Sequence, residues 1–485
     1  MTIKDLNPKI VWNNFYALTQ IPRPSKHEAK VEEFLLKWGK AHGVETIKDE
    51  TGNIIMRKPA TPGYENKRGV IIQGHMDMVP QKTTDTVHDF EKDPIETQII
   101  GEWVGAKGTT LGADDGIGVA IGMSVMEDNK LKHGPLEVLV TYDEETGMTG
   151  ATKLKPGVLK GDILLNLDSE EEGELCIGCA GGLDGIADFA YKMKKTPAGY
   201  AAFKINIKGL QGGHSGMDIA LYRANANKVA ARILLSLIGK YGAKVSDFHG
   251  GNMRNAIPFE ANVTVLVPEA KTASARRAAQ DIFKLEKAEH SYSDPNMEIH
   301  ITKADVPAKY IDDDVMLRAV KAIMACPNGV VRMSDSMPGL TETSTNLAIV
   351  STEDGHLKVH SLMRSSVDSA KANLSDSMKC VFDLAGAEFT TQGGYNGWTP
   401  KPETPVYQVI KDTYKSLFHK DIKVTATHGG LECALLGAKY PNWEMVSIGP
   451  TIVHPHSPDE RVNIESVGKA YKFVAKFLEN VPDRK

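Results

Sequence analysis

Through the first 180 positions, apolar residues recur in two alternating rhythms. Val31, Phe34, Leu35 and Trp38 fall at helical intervals behind Ser25 and Glu28, whose spacing fits a capping box, so a helix is predicted there. Short apolar runs follow at Val70 to Gln73, Val138 to Thr141 and Ile163 to Leu167, and each gives way to a polar, charged segment. This alternation predicts an α/β domain with a mixed, largely parallel sheet flanked by helices.

From 183 to 398 the rhythm becomes two successive passes of strand, helix, strands and helix, which predicts an inserted α+β domain of two similar halves. The first pass runs from AAFKINIKGL through a helix at Asn225 to Leu237, then ANVTVLV and a helix from Thr272. The second starts at MEIHITKA, continues through a helix at Asp314 to Met324, then HLKVHSLMR and a helix from Ser369. Residues 399–485 return to helix and strand, with a strand at Glu444 to Ile448 and a helix from Ile464. They are expected to complete the domain that residues 1–182 begin.

A length of 485 residues exceeds what one hydrophobic core organises, in keeping with two folding units. With 41% hydrophobic and 25% charged residues the composition is ordinary for a globular protein and names no function. The net charge of −5, without a dense Lys/Arg block, argues against nucleic acid as a partner. No apolar run reaches the length of a membrane span and the N-terminal stretch lacks a signal-peptide core, so a cytoplasmic protein is expected. Five cysteines fit a reducing compartment, and Cys176 and Cys179 read as small loop residues rather than a redox or metal pair.

Chemistry concentrates where the apolar strands end. GHMDMVP puts His75 and Asp77 after one strand; the imidazole suits a metal and the carboxylate suits its other ring proton, although a surface loop would read the same. TLGADDGIG sets Asp114 and Asp115 before an apolar helix, where acids also serve simply to complement the helix dipole. TYDEETG masses Asp143, Glu144 and Glu145 at a strand end. Either a solvated turn or a metal site accommodates that charge, and in a metal site one glutamate binds while its neighbour accepts a proton from water. Asp168 ends a further strand, and VHPHSPDE adds His454 and His456. Such a mixed nitrogen and oxygen donor set suits zinc or a similar ion rather than calcium. No Walker lysine motif and no G-x-S-x-G elbow competes with that reading.

In this order, GHMDMVP, TLGADDGIG, TYDEETGMTG, NLDSEEEGE, GGHSG, GGNMRNAIP, HGGLEC and GPTIVHPHSPDE resemble the aminoacylase and carboxypeptidase superfamily of di-zinc exopeptidases. Within it they resemble the aminoacyl-histidine (Xaa-His) dipeptidases. The resemblance covers essentially the whole chain. It implies two Zn2+ per chain, with Mn2+ or Co2+ as substitutes: His75 and Asp168 on one, Glu145 and His456 on the other, and Asp114 bridging both. Glu144 becomes the general base, Asp77 orients His75, and the peptide bond after Asp114 is cis. His214, Asn255 and Arg364 of the inserted lid would hold the substrate, and Glu432 would meet its amino end. The implied reaction is hydrolysis of dipeptides, preferentially Xaa-His dipeptides such as β-alanyl-histidine, by a hydroxide shared between the zincs. A doubled lid further implies that His214 completes the site of its own chain, in a monomer or homodimer. The alternatives are a related amidase, aminoacylase or tripeptidase, and a non-catalytic binding relative, which would have no use for Glu144 beside Glu145.

Overall fold

The computed structural model describes residues 2–484, and its contacts divide the chain into two units. The first unit takes the chain up to Gly178, then Trp398–Ala426, and then everything described from Leu431 onward. The second takes Cys179–Gly397 together with Thr427–Gly430.

An eight-stranded mixed sheet organises the first unit. Its centre is four neighbouring parallel strands in the order Leu136–Thr141, Val70–His75, Ile163–Asn166 and Glu444–Ser447. The first three are buried along their whole length, which is why they read as unbroken apolar runs rather than alternating ones. The helix Ala113–Glu127 is buried almost throughout and packs against Val70–His75 and the helix Lys9–Thr19. A small antiparallel sheet adds Thr97–Ile100, Trp103–Ala106, Ile452–Val453 and Arg461–Asn463.

Two local expectations differ from what forms. The capping box does not close: the helix runs Ala29–His42 with Glu28 as a cap whose side chain accepts no bond from it. Ser25 instead pairs with Met78, and a Glu28 oxygen accepts from the amide of Lys26. A tertiary partner for Ser25 and a different local amide for Glu28 replace the predicted motif. Cys176 and Cys179, expected in a loop, lie buried on the strand Glu174–Cys179.

A nine-stranded antiparallel sheet carries the second unit. Strands Glu298–Ala304, Tyr200–Lys208, Ala261–Pro268 and Lys244–Gly250 lie to one side of a single junction pair, Gly250 with Val350. On the other side are Thr341–Glu353, His356–Ser365, Gly181–Ala190 and Glu388–Tyr395, with Gly329–Met333 pairing on Thr341–Glu353. Helices Ala226–Tyr241 and Thr272–Glu289 cover the first side, Asp313–Ala325 and Asp368–Leu384 the second, and one apolar core runs beneath all four. MEIHITKA does not begin the second pass as its position in the chain suggested. Glu298–Ala304 pairs antiparallel with Tyr200–Lys208 and closes the first side, while Gly181–Ala190 supplies the corresponding strand of the second. Strand order in a sheet depends on ladder partners, which sequence order does not report.

Candidate metal centre

Parallel strands bring their carboxyl ends to one edge of a sheet, where open α/β folds gather ligands. His75 is the last residue of its strand, Asp143 to Glu145 follow Thr141, and Asp168 stands two residues beyond Asn166. Beyond Ser447 the chain reaches the hairpin of Ile452–Val453 and Arg461–Asn463, whose loop carries His454 and His456, both with left-handed backbone. Gly74 leaves room for the acids: a Cβ there would stand 2.1 Å from Asp115 Oδ2.

The two oxygens of Asp114 face different imidazoles. Oδ1 is 3.0 Å from His75 Nε2 and Oδ2 is 3.0 Å from His456 Nε2. Asp168 Oδ1 lies 3.4 Å from the same His75 nitrogen, and Glu145 Oε2 lies 3.0 Å from the same His456 nitrogen. His454 is exposed and has no part in this arrangement. Asp77, fully buried, sits 3.3 Å from His75 Nδ1 and accepts the amide N–H groups of Glu144 at 3.0 Å and Glu145 at 3.2 Å. It thus orients one imidazole and the turn bearing both glutamates. The Asp114–Asp115 peptide bond is cis.

Electrostatics show what so many buried acids cost one another. Burial alone would raise the Asp114 carboxyl, but His456 and His75 hold it far below the ordinary carboxylate range. Burial pushes Asp168 up to about 7 against the pull of His75, with Asp114 and Glu145 adding to the rise. Burial, then Asp168, Glu432 and Glu145, hold Glu144 well above the usual range. His456 is pushed up to about 11 by its bonds to Asp114 and Glu145. Glu145 Oε1 and Asp115 Oδ2 are buried without a hydrogen-bond partner among the described residues. Divalent cations answer this excess of buried negative charge. The spacing fits too: a tetrahedral ion with ligand distances of about 2.0 Å spans ligand pairs about 3.3 Å apart, close to the nitrogen-to-oxygen distances here. Two such triplets share Asp114, one with His75 and Asp168 and one with His456 and Glu145.

A second acidic group, Glu28, Asp77 and Asp143, is also buried and close enough to hold an ion. Its oxygens are largely engaged already: those of Asp77 by amides and His75, those of Asp143 by the hydroxyls of Thr146 and Thr149. Glu432 is fully buried in the first unit, where one oxygen accepts from Gln73 at 2.7 Å and Thr141 at 2.6 Å and the other has no partner among the described residues. Burial, with Asp168 and Asp77, pushes it up to about 8.

His214, Asn255 and Arg364 belong to the second unit. His214 Nδ1 accepts the amides of Gly216 and Met217, which leaves the ring proton on Nε2, and burial with nearby Arg364 lowers its basicity. His214 is therefore a neutral N–H donor. Asn255 is exposed, and its carbonyl accepts the amide of Ser215. Arg364 is only 5% exposed, yet its hydrogen bonds go to two neutral hydroxyls, Ser215 at 3.3 Å and Tyr395 at 3.4 Å. A buried guanidinium without an acid beside it is a ready receptor for an anion.

Three buried polar residues escaped sequence reasoning. His428 bonds Ser344 at 2.7 Å, and burial and Arg364 push it down to about 3. Arg23 and Glu460 hold the ligand-bearing loops. A lone arginine between prolines and the last acid of SPDE have no pattern that marks them.

Relatives place this geometry. Residues 71–480 match the profile of peptidase family M20/M25/M40. The chain is 44% identical over 488 residues to the cytosol non-specific dipeptidase of Escherichia coli, covering 99% of each. The crystal structure of aminoacylhistidine dipeptidase from Vibrio alginolyticus is 43% identical and superposes with a TM-score of 0.93, covering 100% of this chain and 99% of that one. Aminopeptidase PepT from Bacillus cereus, 17% identical with a TM-score of 0.57 over 98% of this chain and 99% of that one, shares the fold. With a matched profile over most of its length and full-length relatives above 40% identity, the chain belongs to peptidase family M20/M25/M40.

Proposed function

We propose that this chain is a cytoplasmic dipeptidase that uses two zinc ions and prefers Xaa-His dipeptides such as β-alanyl-histidine. The observation that carries the reading is Asp114, whose two oxygens each face one imidazole that also meets one further carboxylate, with Glu144 next to Glu145 in the chain. Two full-length relatives named as dipeptidases support it. The location rests on the Escherichia coli relative, which is named as a cytosol enzyme.

His75, Asp168 and Asp114 would hold one cation, and His456, Glu145 and Asp114 the other. Such ions acidify water and polarise a carbonyl, bringing the pKa of water from 15.7 towards about 7. Glu144 takes the proton of the attacking water and hands it to the departing amine, so one carboxylate serves as base and then acid. Asp77 keeps the Glu144 turn in place through its amide bonds. His214 donates its Nε2 proton to the oxyanion, Arg364 grips the substrate's terminal carboxylate, and Asn255 and Glu432 help to hold the peptide, Glu432 at the amino end.

The name of the Escherichia coli relative, non-specific, favours a second reading in which the residue at the carboxyl end is free to vary. Metal-depleted protein is reconstituted with Zn2+, Mn2+ or Co2+ and given β-alanyl-histidine, glycyl-histidine, alanyl-alanine, a tripeptide and an N-acetyl amino acid. Cleavage of the dipeptides alone, fastest with histidine at the carboxyl end, is expected. Equal rates on alanyl-alanine would favour the second reading, and no cleavage of any dipeptide by metal-loaded protein would sink both.

A further inference from the structure

Two buried charged residues join the loops that carry His75, Asp114 and His456, and neither is among the proposed ligands. The Glu460 carboxylate, 2% exposed, accepts four consecutive amides: Leu111 at 2.8 Å and Gly112 at 2.9 Å on Oε2, Ala113 at 2.7 Å and Asp114 at 3.2 Å on Oε1. Glu460 stands four residues after His456 in the same hairpin loop, so its carboxylate ties the His456 segment to the backbone that presents Asp114. Arg23, also 2% exposed, donates from Nη1 to the carbonyls of Met76 and Asp77, both at 3.0 Å, and from Nη2 to the carbonyl of Gly112 at 2.5 Å. It thereby ties the segment after His75 to the same Asp114 loop. Its charge is balanced by Glu460, Asp77, Asp115 and Asp114.

The glycines of the Asp114 loop make room for this clamp. A Cβ on Gly112 would lie 2.6 Å from Arg23 Nη2, and one on Gly116 would lie 2.5 Å from the same nitrogen. Gly112 also has φ +69, which a residue with a side chain rarely adopts. The glycines of TLGADDG are thus explained by a side chain some ninety residues earlier.

We propose that Arg23 and Glu460 are positioning residues of the metal centre: one planar fork and one carboxylate hold three ligand loops in register, so that Asp114 meets both imidazoles at once. A guanidinium satisfies three carbonyls in fixed directions, whereas a lysine ammonium cannot reproduce the fork. A carboxylate can accept four amides, whereas a glutamine would turn its NH2 towards two of them. The inference rests on the metal reading above, and its test separates the two.

Co2+ is titrated into metal-free protein, followed by its visible absorption, for wild type, Arg23→Lys, Glu460→Gln and the conservative Glu460→Asp. Gly116→Ala is included because it displaces the guanidinium while leaving both charged residues in place. Phe477→Leu, a core change in the helix Ile464–Asn480, controls for general loosening. Arg23→Lys, Glu460→Gln and Gly116→Ala are expected to weaken Co2+ binding about 10- to 100-fold, the range for residues that orient metal ligands, and to alter the absorption bands. At saturating Co2+, kcat should fall more than KM changes, and Glu460→Asp should recover part of the affinity. Wild-type affinity and spectrum in Gly116→Ala and Glu460→Gln would overturn the inference, as would an equal loss in Phe477→Leu at matched melting temperature. Absence of Co2+ binding by wild type would sink the metal reading itself.

Discussion

Arg364→Met separates a ligand-binding arginine from a structural one, because the two roles predict opposite signs for stability. The side chain is 5% exposed and, among the described residues, its hydrogen bonds are long ones to Ser215 and Tyr395 hydroxyls and no acid pairs with it, so the chain bears a desolvated cation there. A methionine of similar length removes that charge and keeps most of the packing. The variant should therefore melt at the wild-type temperature or above it, as when buried ionic groups give way to apolar ones. Substrate tells the other half. Two charge-assisted bonds to a terminal carboxylate, each worth about 1.5–3 kcal/mol, sum to about 3–6 kcal/mol. At 1.4 kcal/mol per factor of ten, that predicts a loss in kcat/KM of roughly 10^2 to 10^4 for a dipeptide. The assay compares a dipeptide with its C-terminal amide. Wild type should discriminate strongly between them and Arg364→Met should scarcely do so. An undiminished preference for the free acid in the variant, or a clear drop in melting temperature without loss of that preference, would refute the assignment.

Two further outcomes follow from the proposed metal centre. Glu144→Gln keeps the volume and loses the base, so kcat on the best dipeptide should fall by about 10^2–10^4 while bound metal, measured by elemental analysis, stays as in wild type; a near-normal rate would remove Glu144 from the chemistry. Metal-free protein should lose stability as pH rises from 6.5 to 8.5. Asp168 and Glu432 have folded pKa values of about 7 and about 8 against ordinary carboxylate values, and His456 one of about 11 against 6.5, so in this window the folded state holds more protons than the unfolded chain. Bound zinc needs deprotonated ligands, so saturating Zn2+ should abolish or reverse the slope, read as apparent melting temperature across pH. A metal-free chain that gains stability over this range would contradict the charge arrangement described.

Much of the fold was legible in local pattern. The strands Val70–His75, Leu136–Thr141 and Ile163–Asn166 are buried on both faces, and full burial writes itself into sequence as a continuous apolar run. Helices Ala226–Tyr241 and Asp313–Ala325 likewise declared themselves through their spacing. Acids collected at the strand ends were visible for the same reason: like charges beside buried strands demand an explanation. Other features were not legible. The capping box of Ser25 and Glu28 failed because both side chains found partners elsewhere. Glu298–Ala304 joined the first side of its sheet because pairing follows ladder geometry. Arg23, Glu460 and His428 carry no local mark at all.

By itself, then, the sequence determined which segments are strands and helices, and which charged residues stand at strand ends, because a residue's immediate neighbours dictate what it must bury. Only the tertiary structure decided that Asp114 divides its oxygens between His75, 39 residues before it, and His456, 342 residues after it. It also decided that, among the described residues, the guanidinium of Arg364 meets two hydroxyls and no acid. Those relations depend on sheet order and on loops held by distant side chains. Interactions that act through space over a few ångströms leave no period along the chain from which they could be read.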